Sequence, residues 1–413
     1  MNAPIPSRRW TTLVAAGALL AAVTVGAASP ALAADAPPAA TAAATATATS
    51  RPGPLDRDAL DAAVHALPGD ITGALVRTAG PDARWHGTSG DDVPADARFR
   101  IGSITKVFTA TVMLQLVAEG KVDLNGTAQQ YLPGLLPADY PPVTVGQLLD
   151  HTSGLPGGGG MTSGDGSTGW FAAHKADGFT PEQVVADMLT QPMSFPPGTA
   201  QQYNGNNYFI AGMVIEKVTG DSYADQVRQR ITRPLGLHAT YVPDADDLDI
   251  RGPHATGYLD VKAADGGTDR VDVTEQSPYP WAEGGMVSSA ADLEHFLGAL
   301  FRGRLLPPAQ QAELFDVPDL PNHNNKNCDI GPTAGHACFS KGGLLRAVLP
   351  NGTEVWGKTG SRPGYTSAVF ATRDLSRTVV VSLNPTGIDG QEAPTQWKLL
   401  TTGFGSGQAY GKQ

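Results

Sequence analysis

The sequence predicts a mixed α/β (α+β) domain, in which an antiparallel sheet is built from both ends of the chain and a mostly helical lobe is inserted at about residues 110–275. Two β-rich stretches, at 72–77 and 83–87, lie near the start of the chain. Four more lie between residues 344 and 383 and are separated by short turns, as expected of an antiparallel meander. Helix signals fill the chain between these groups, and a helix predicted over residues 391–400 can cover one face of the sheet.

The helical segments are predicted from the signals at their ends. An amphipathic helix is predicted over residues 103–119, and Gly120 stops it. Thr144 and Thr180 are each followed by a Gln three residues later, the pattern of a capping box at a helix start. Further helices are predicted over residues 56–67, 208–219 and 289–300.

The first 33 residues have the pattern of a signal peptide. Arg8 and Arg9 precede an apolar run at 13–28, and a small-residue cleavage site ends at Ala33. Because the run is short for a bilayer span, we expect cleavage and a secreted, extracellular protein rather than a membrane anchor.

Two segments outside the predicted domain lack the composition of a folded core. Residues 34–54 are rich in Ala, Thr and Pro and are predicted to be a disordered linker. Residues 406–413 are predicted to be a loose tail. One folded domain is therefore expected over residues 55–405.

The charge balance restricts the possible partners. The formal net charge is −11, and no basic stripe is visible, which argues against nucleic-acid binding. No second long apolar segment follows the signal, so we expect no membrane span in the mature chain, and we expect a monomer.

The two cysteines, Cys328 and Cys338, are predicted to form a disulfide in an exported protein. His323 and His336 lie beside them and raise the alternative of a zinc site. Their spacing matches no common zinc pattern, so no metal is predicted, and the chain gives no sign of a cofactor.

A serine with a lysine one helical turn away is a nucleophile with its own base, and Ser103 and Lys106 have this spacing. The alternative is a helix cap followed by a surface lysine. If Lys106 is buried, desolvation and a second cation, Lys358, would favour its neutral form, which can accept the serine proton.

The tripeptide Lys358, Thr359 and Gly360 lies in a strand-like context and is predicted to form the wall of the same site. Gly360 would let the substrate backbone approach the strand. The backbone N–H groups of Ser103 and Ser361 would form the oxyanion hole. The pattern predicts acyl transfer through a covalent serine ester.

With these motifs, the chain resembles the penicillin-recognising serine hydrolases, a family related to the β-lactamases. The resemblance covers nearly the whole predicted mature chain. It rests on RFRIGSITK (98–106), YLPGLLP (131–137), LLDHTSG (148–154), AGMVIEKVTG (211–220), GGMVSS (284–289) and GKTG (357–360).

The resemblance implies further roles for residues of this chain. Tyr203 would pass a proton between nucleophile and leaving group, and Trp281 would line the cleft. Gly205 stands where the family has an asparagine, with Asn204 beside it as a substrate-binding residue. Arg346 lies in the region where carboxypeptidases of this family bind the terminal carboxylate.

His151 belongs to an HTSG sequence common in the family. A histidine near a serine invites comparison with a Ser-His-Asp triad. We interpret His151 and Asp150 instead as parts of a helix end and loop, because Lys106 already fills the role of base.

The resemblance implies a D-alanyl-D-alanine carboxypeptidase or transpeptidase acting on peptidoglycan stem peptides, with β-lactams as covalent inhibitors. An esterase, a D-aminopeptidase or amidase, or a class C-like β-lactamase would use the same motifs on another small acyl substrate. A non-catalytic peptidoglycan or β-lactam binding protein is the alternative of another class, and it is supported only by Gly205.

Overall fold

The computed structural model describes residues 51–406, except 82–83, 91–92, 159, 325 and 330. The predicted signal peptide, residues 34–50 of the predicted linker and residues 407–413 of the predicted tail lie outside the described residues. Within the last part of the linker, the Gly53 N–H donates to Phe404 O at 3.2 Å.

Ten strands are present. They are β1 (Ile71–Ala79), β2 (Arg84–Gly90), β3 (Arg98–Arg100), β4 (Tyr258–Lys262), β5 (Thr268–Asp272), β6 (Val287–Ser289), β7 (Leu345–Val348), β8 (Glu354–Arg362), β9 (Tyr365–Ala371) and β10 (Thr378–Pro385) within the described residues.

Six strands form the main sheet, in the order β2-β1-β10-β9-β8-β7, and every neighbouring pair is antiparallel. The prediction of a sheet built from both ends of the chain, with four consecutive strands as a meander, is confirmed. The other four strands form two small pairs, β3 with β6 and β4 with β5.

The helices of the described residues lie mainly between the two strand groups. They are α1 (Arg57–His65), α2 (Thr105–Ala118), α3 (Ala128–Tyr131), α4 (Val145–Leu149), α5 (Thr168–Ala173), α6 (Pro181–Met188), α7 (Asn206–Thr219), α8 (Tyr223–Val227), α9 (Arg233–Leu235), α10 (Trp281–Gly284), α11 (Ala290–Phe301), α12 (Pro308–Glu313) and α13 (Ala393–Gly403). Both predicted capping boxes, at Thr144 before α4 and at Thr180 before α6, are present.

Helices cover both faces of the main sheet. Because successive residues of a strand point to opposite faces, neighbouring residues of β10 show which helices lie on each side. On β10, Val380 packs in a cluster with α2 and α11, whereas Val379 and Val381 pack in another with α1 and α13. The predicted C-terminal helix therefore covers one face of the sheet. A third apolar cluster joins α4, α6 and α7 in the lobe.

Helix α2 differs from its sequence prediction. Eleven of its 14 residues are buried, including polar Thr105, Thr109 and Thr111, so the expectation of an amphipathic helix is wrong. The helix lies in the large cluster that joins the sheet to α7 and α11, and the rings of Phe108 and Phe296 stack at 3.8 Å. Ser103 lies two residues before this buried central helix, which anchors the chain at that point.

The disulfide between Cys328 and Cys338 is present. Gln201, which is fully buried, binds the chain next to it by accepting from the N–H groups of Cys338 at 2.7 Å and Phe339 at 3.0 Å. The Gln201 amide donates in turn to Asp150 O at 2.7 Å. The crosslinked loop is thereby fastened to the segment that leads into Tyr203.

Candidate active site

Ser103 lies in a single helical turn, Gly102–Ile104, between β3 and α2. Gly102 has φ +47°, in the left-handed region that favours glycine, and a Cβ at this position would lie 2.5 Å from Ser361 N. The turn before Ser103 is thus pressed against the end of β8. This contact fixes the nucleophile relative to the sheet.

The structure brings together the three predicted catalytic side chains. Lys106 Nζ donates to Ser103 Oγ at 2.9 Å, and Tyr203 Oη donates to the same oxygen at 2.7 Å. Lys106 is fully buried. Two groups that can carry a proton therefore meet on the serine oxygen, as an activated nucleophile requires.

The predicted oxyanion-hole residues also lie side by side. A Cβ at Gly360 would lie 2.9 Å from Ser103 N, which places the strand end at Gly360 and Ser361 directly against the nucleophile turn. Two backbone N–H groups on abutting segments can converge on one carbonyl oxygen. The oxyanion hole formed by Ser103 and Ser361 stays a prediction.

The protein's own packing requires a glycine at position 360. A Cβ there would lie 1.9 Å from Ile101 O, so the neighbouring chain leaves no room for a side chain. The approach of a substrate backbone to Gly360 stays a prediction. Lys358 is buried, and its Nζ donates to Thr359 O at 3.0 Å and lies 4.7 Å from the centroid of the Tyr203 ring. Thr359 is half-buried on the same strand.

The charges of the two lysines differ from expectation. Burial lowers the pKa of Lys106, but the neighbouring Glu283 carboxylate outweighs it and raises the pKa above its usual value. Burial, with the charge of Lys106 in addition, holds the pKa of Lys358 well below its usual value. Burial raises the pKa of Tyr203, so its hydroxyl stays protonated. Lys106 is the ammonium of the free site, and Lys358 is the lysine that loses its proton readily.

Glu283, on the short helix α10, was not among the predicted site residues. Both its backbone oxygen, at 2.8 Å, and its carboxylate oxygen Oε1 accept from Lys106 Nζ. A glutamate beside the GGMVSS sequence and a glycine at position 205 were the available signals. No spacing rule connects them, because they come together only through the packing of α10 on α7.

Trp281 fixes this short helix. Its ring packs against Tyr223 at 5.3 Å between centroids, and a Cβ at Gly212 on α7 would lie 2.6 Å from it. Trp281 also lines a cavity of about 460 Å³ together with Phe179 and Tyr279. The predicted cleft residue therefore holds α10, and with it Glu283, in place.

The structure does not present two predicted substrate-binding residues to Ser103. The Asn204 amide donates to Leu155 O and Pro156 O, both at 2.9 Å, so it joins two loops. Arg346 forms an ion pair with Glu354 at 2.6 Å. Both side chains are already engaged within the protein.

His151 makes no hydrogen bond to Ser103 in the described structure. Its ring is buried 4.5 Å from that of Tyr203, and its Nδ1 accepts from the Asn204 N–H at 3.2 Å. Burial and the charges of Lys106 and Lys358 hold the pKa of His151 well below its usual value. The neutral ring supports the Tyr203 loop, in agreement with the structural role expected from the sequence.

Asp150 gives a testable pH dependence. It is 5 % exposed, and burial raises the pKa of its carboxyl to about 6. Since the folded chain holds this proton more tightly than the unfolded chain, stability from this group is highest below about pH 4 and falls as the pH rises to about 6. Asp150→Asn should therefore raise the free energy of unfolding at pH 7.5 by about 1–3 kcal/mol, and much less at pH 4.

Urea unfolding of both proteins at the two pH values measures this difference. Asp225→Asn, at an exposed carboxylate, is the control. An equal effect of Asp150→Asn at both pH values would contradict the assignment of the shifted carboxyl.

This fold and the Ser103, Lys106 and Tyr203 arrangement define a penicillin-recognising serine hydrolase. The chain belongs to the beta-lactamase family, whose model matches residues 60–401. The family predicted from the sequence motifs is confirmed.

The chain is similar to proteins of several activities. It is 34% identical to a D-stereospecific amidohydrolase from Streptomyces sp., with a TM-score of 0.73 over 84% of this chain and 98% of that one. It is 27% identical to the D-amino acid amidase from Ochrobactrum anthropi SV3, with a TM-score of 0.65 over 79% of this chain and 90% of that one. Among sequences, penicillin-binding protein 4 of Amycolatopsis lactamdurans is 35% identical over 169 residues, which is 40% of this chain and 42% of that protein.

The described residues hold neither a membrane-spanning helix nor a metal-binding cluster. None of the helices there has the length and apolar character needed to cross a membrane. In the same part of the chain, His, Cys, Asp and Glu side chains form no group of three or more that could hold a metal ion.

Proposed function

We propose that this chain hydrolyses amides and esters of D-amino acids through an acyl ester on Ser103. Attack of Ser103 Oγ on the carbonyl carbon forms the ester and releases the amine or alcohol. Water then releases the free acid. The contacts of Ser103 Oγ with Lys106 and Tyr203 support this chemistry, because both groups can move the protons that the two steps require.

The main support for the substrate class is that the basic side chains on and beside β8 are all engaged. Lys358 donates to Thr359 O, Arg362 donates to Ser277 O at 2.9 Å, and Arg346 pairs with Glu354. A terminal carboxylate beside the scissile bond would lose its hydration without gaining an unengaged cation from these three described side chains, which is costly. Amides and esters of amino acids carry no carboxylate at that place.

The preference for D-amino acids rests on similarity. The D-stereospecific amidohydrolase and the D-amino acid amidase are 34% and 27% identical to this chain and cover most of it. Their names state the stereochemistry of what they act on, and we extend it to this chain as part of the proposal.

D-alanyl-D-alanine carboxypeptidase activity, which the family resemblance implies, is the second candidate. The similarity to penicillin-binding protein 4, whose name states that it binds penicillin, agrees with it. It would use the same acyl ester, and a β-lactam would be trapped on Ser103. An esterase and a β-lactamase would differ from it in leaving group and in the rate of deacylation. The complete Ser103, Lys106 and Tyr203 set argues against a non-catalytic binding protein.

The test compares three substrates: D-alanine amide, L-alanine amide and Nα-acetyl-D-alanyl-D-alanine. We expect kcat/KM for ammonia release from the D-amide to exceed the values for the other two by more than about tenfold. The Ser103→Ala protein controls for contaminating activity. Release of D-alanine from the acetylated dipeptide at an equal or higher kcat/KM would replace this proposal by the carboxypeptidase.

We further propose that the chain acts outside the cell. The support is the signal pattern of residues 1–33 together with the disulfide between Cys328 and Cys338, which suits an oxidising compartment. Intact-mass measurement of protein recovered from the medium should show a chain that begins at Ala34. Protein retained in the cytoplasm with residues 1–33 intact would contradict it.

A further inference from the structure

Gly205 and Glu283 fit one another at the position where the family resemblance implies an asparagine. A Cβ at Gly205 would lie 2.5 Å from Glu283 Oε1 and 3.0 Å from Glu283 Cδ. The backbone at Gly205 has φ −60° and ψ −36°, which any residue adopts. The carboxylate, rather than the backbone, therefore excludes a side chain at Gly205.

Because Gly205 has no side chain, the Glu283 carboxylate has room to contact Lys106. The ammonium of Lys106 has three N–H groups, and three acceptors meet it: Ser103 Oγ at 2.9 Å, Glu283 O at 2.8 Å and Glu283 Oε1. Lys106 is fully buried, whereas the Glu283 side chain keeps 21% of its exposure. An asparagine amide could accept a hydrogen bond from Lys106, but only a carboxylate can also take a proton from it.

We infer that Glu283 replaces the asparagine missing at Gly205, and that it positions Lys106 and receives the proton that Lys106 gives up when Ser103 is deprotonated. This rests on the proposed acyl-serine chemistry. The ammonium of Lys106 cannot accept the serine proton while it keeps all three of its own. The Glu283 carboxylate can take one of the Lys106 protons, so Lys106 can accept the serine proton even though it is an ammonium in the free enzyme.

The proton movements balance. As the bond between Ser103 Oγ and the acyl carbon forms, the hydroxyl proton passes to Lys106 Nζ, and one Lys106 proton passes to Glu283 Oε1. When the bond to the leaving group breaks, Lys106 delivers one proton through the Tyr203 hydroxyl to the leaving amine or alcohol. Glu283 then returns its proton to Lys106. The pair ends as it began, as ammonium and carboxylate.

The test measures acylation alone, as the pre-steady-state burst of p-nitrophenol from p-nitrophenyl acetate. Glu283→Gln keeps the shape of the side chain and an acceptor oxygen but cannot take a proton. The rate of its burst should fall by about 10²-fold or more, with little change in how that rate depends on the p-nitrophenyl acetate concentration. Its residual rate should rise with pH, since acylation then needs the free amine of Lys106. A role limited to folding would lower the rate equally at all pH values.

Restoring the asparagine gives a second, independent test. Gly205→Asn should lose activity because it overlaps the Glu283 carboxylate, and Glu283→Ala because it removes the acceptor. The double variant Gly205→Asn/Glu283→Ala relieves the overlap and returns an amide, so its burst should exceed that of either single variant at least tenfold. Glu354→Gln, at a carboxylate paired with Arg346 away from Ser103, is the matched control and should leave the burst unchanged.

The outcomes separate this inference from the proposed function. A wild-type burst that Glu283→Gln reproduces within threefold would overturn the role of Glu283 and leave the acyl-serine chemistry standing. A double variant no faster than the single variants would overturn the replacement of asparagine by Glu283. A wild-type chain that releases p-nitrophenol no faster than the Ser103→Ala protein would overturn both.

Discussion

Replacement of Lys106 by methionine is expected to slow acylation of Ser103 by about 10³- to 10⁴-fold. Lys106 Nζ lies 2.9 Å from Ser103 Oγ and, in the proposed mechanism, receives the serine proton. Methionine fills much of the buried space of the lysine stem but offers no donor and no base. Labelling by a fluorescent penicillin, followed by mass mapping of the labelled peptide, gives the rate and the position.

Ser103→Ala is the control for this experiment and should take no label at all. The Lys106→Met protein must be shown to be folded by circular dichroism, because the change leaves Glu283 without its cation. Labelling of a folded Lys106→Met protein at the wild-type rate would show that another group deprotonates Ser103.

Replacement of Lys358 by methionine is expected to separate stability from activity. Lys358 is 2% exposed and has Thr359 O as its hydrogen-bond acceptor, and burial holds its pKa well below the usual value. Replacing a buried group of this kind by an apolar one should raise the free energy of unfolding at pH 7 by about 1 kcal/mol. Turnover should fall by about 10²-fold, because a hydrogen-bond donor of the site is lost.

The sign of the pH effect makes this prediction specific. Between the folded and unfolded pKa values of Lys358, the unfolded chain binds the proton that the folded chain lacks, so wild-type stability from this group rises with pH. The stability gain of Lys358→Met should therefore shrink between pH 7 and pH 9.5, as measured by urea unfolding.

Lys341→Met is the matched control. Lys341 pairs with Glu313 at 2.8 Å, and the charges of Glu313 and Asp316 raise the pKa of Lys341 despite partial burial. Its loss should lower stability, and a stability gain equal to that of Lys358→Met would refute the explanation by burial.

Natural enzymes often keep groups that are needed for activity but lower the free energy of unfolding. Lys358 is expected to be such a group. Its amine is kept beside the Tyr203 ring and Lys106, where solvation is poor.

Much of the fold could be predicted because its signals are local. The strands of the C-terminal meander alternate with turns, and the helices at Val145 and Pro181 begin with capping boxes that four residues specify. The predicted amphipathic character of α2 failed because it depends on what surrounds the helix. Sheet, lobe and α11 all pack against it, and no local pattern records this.

The sequence by itself determined the family, the sheet built from both chain ends, and the Ser103 and Lys106 pair, because a spacing of one helical turn places both side chains on one face. Tertiary structure alone decided the contact between Glu283 and Lys106 and the pairing of Arg346 with Glu354. It also decided which lysine carries the charge. The physical reason is that protonation depends on burial and on the nearest opposite charge, and those neighbours are 177 residues apart for Lys106 and Glu283.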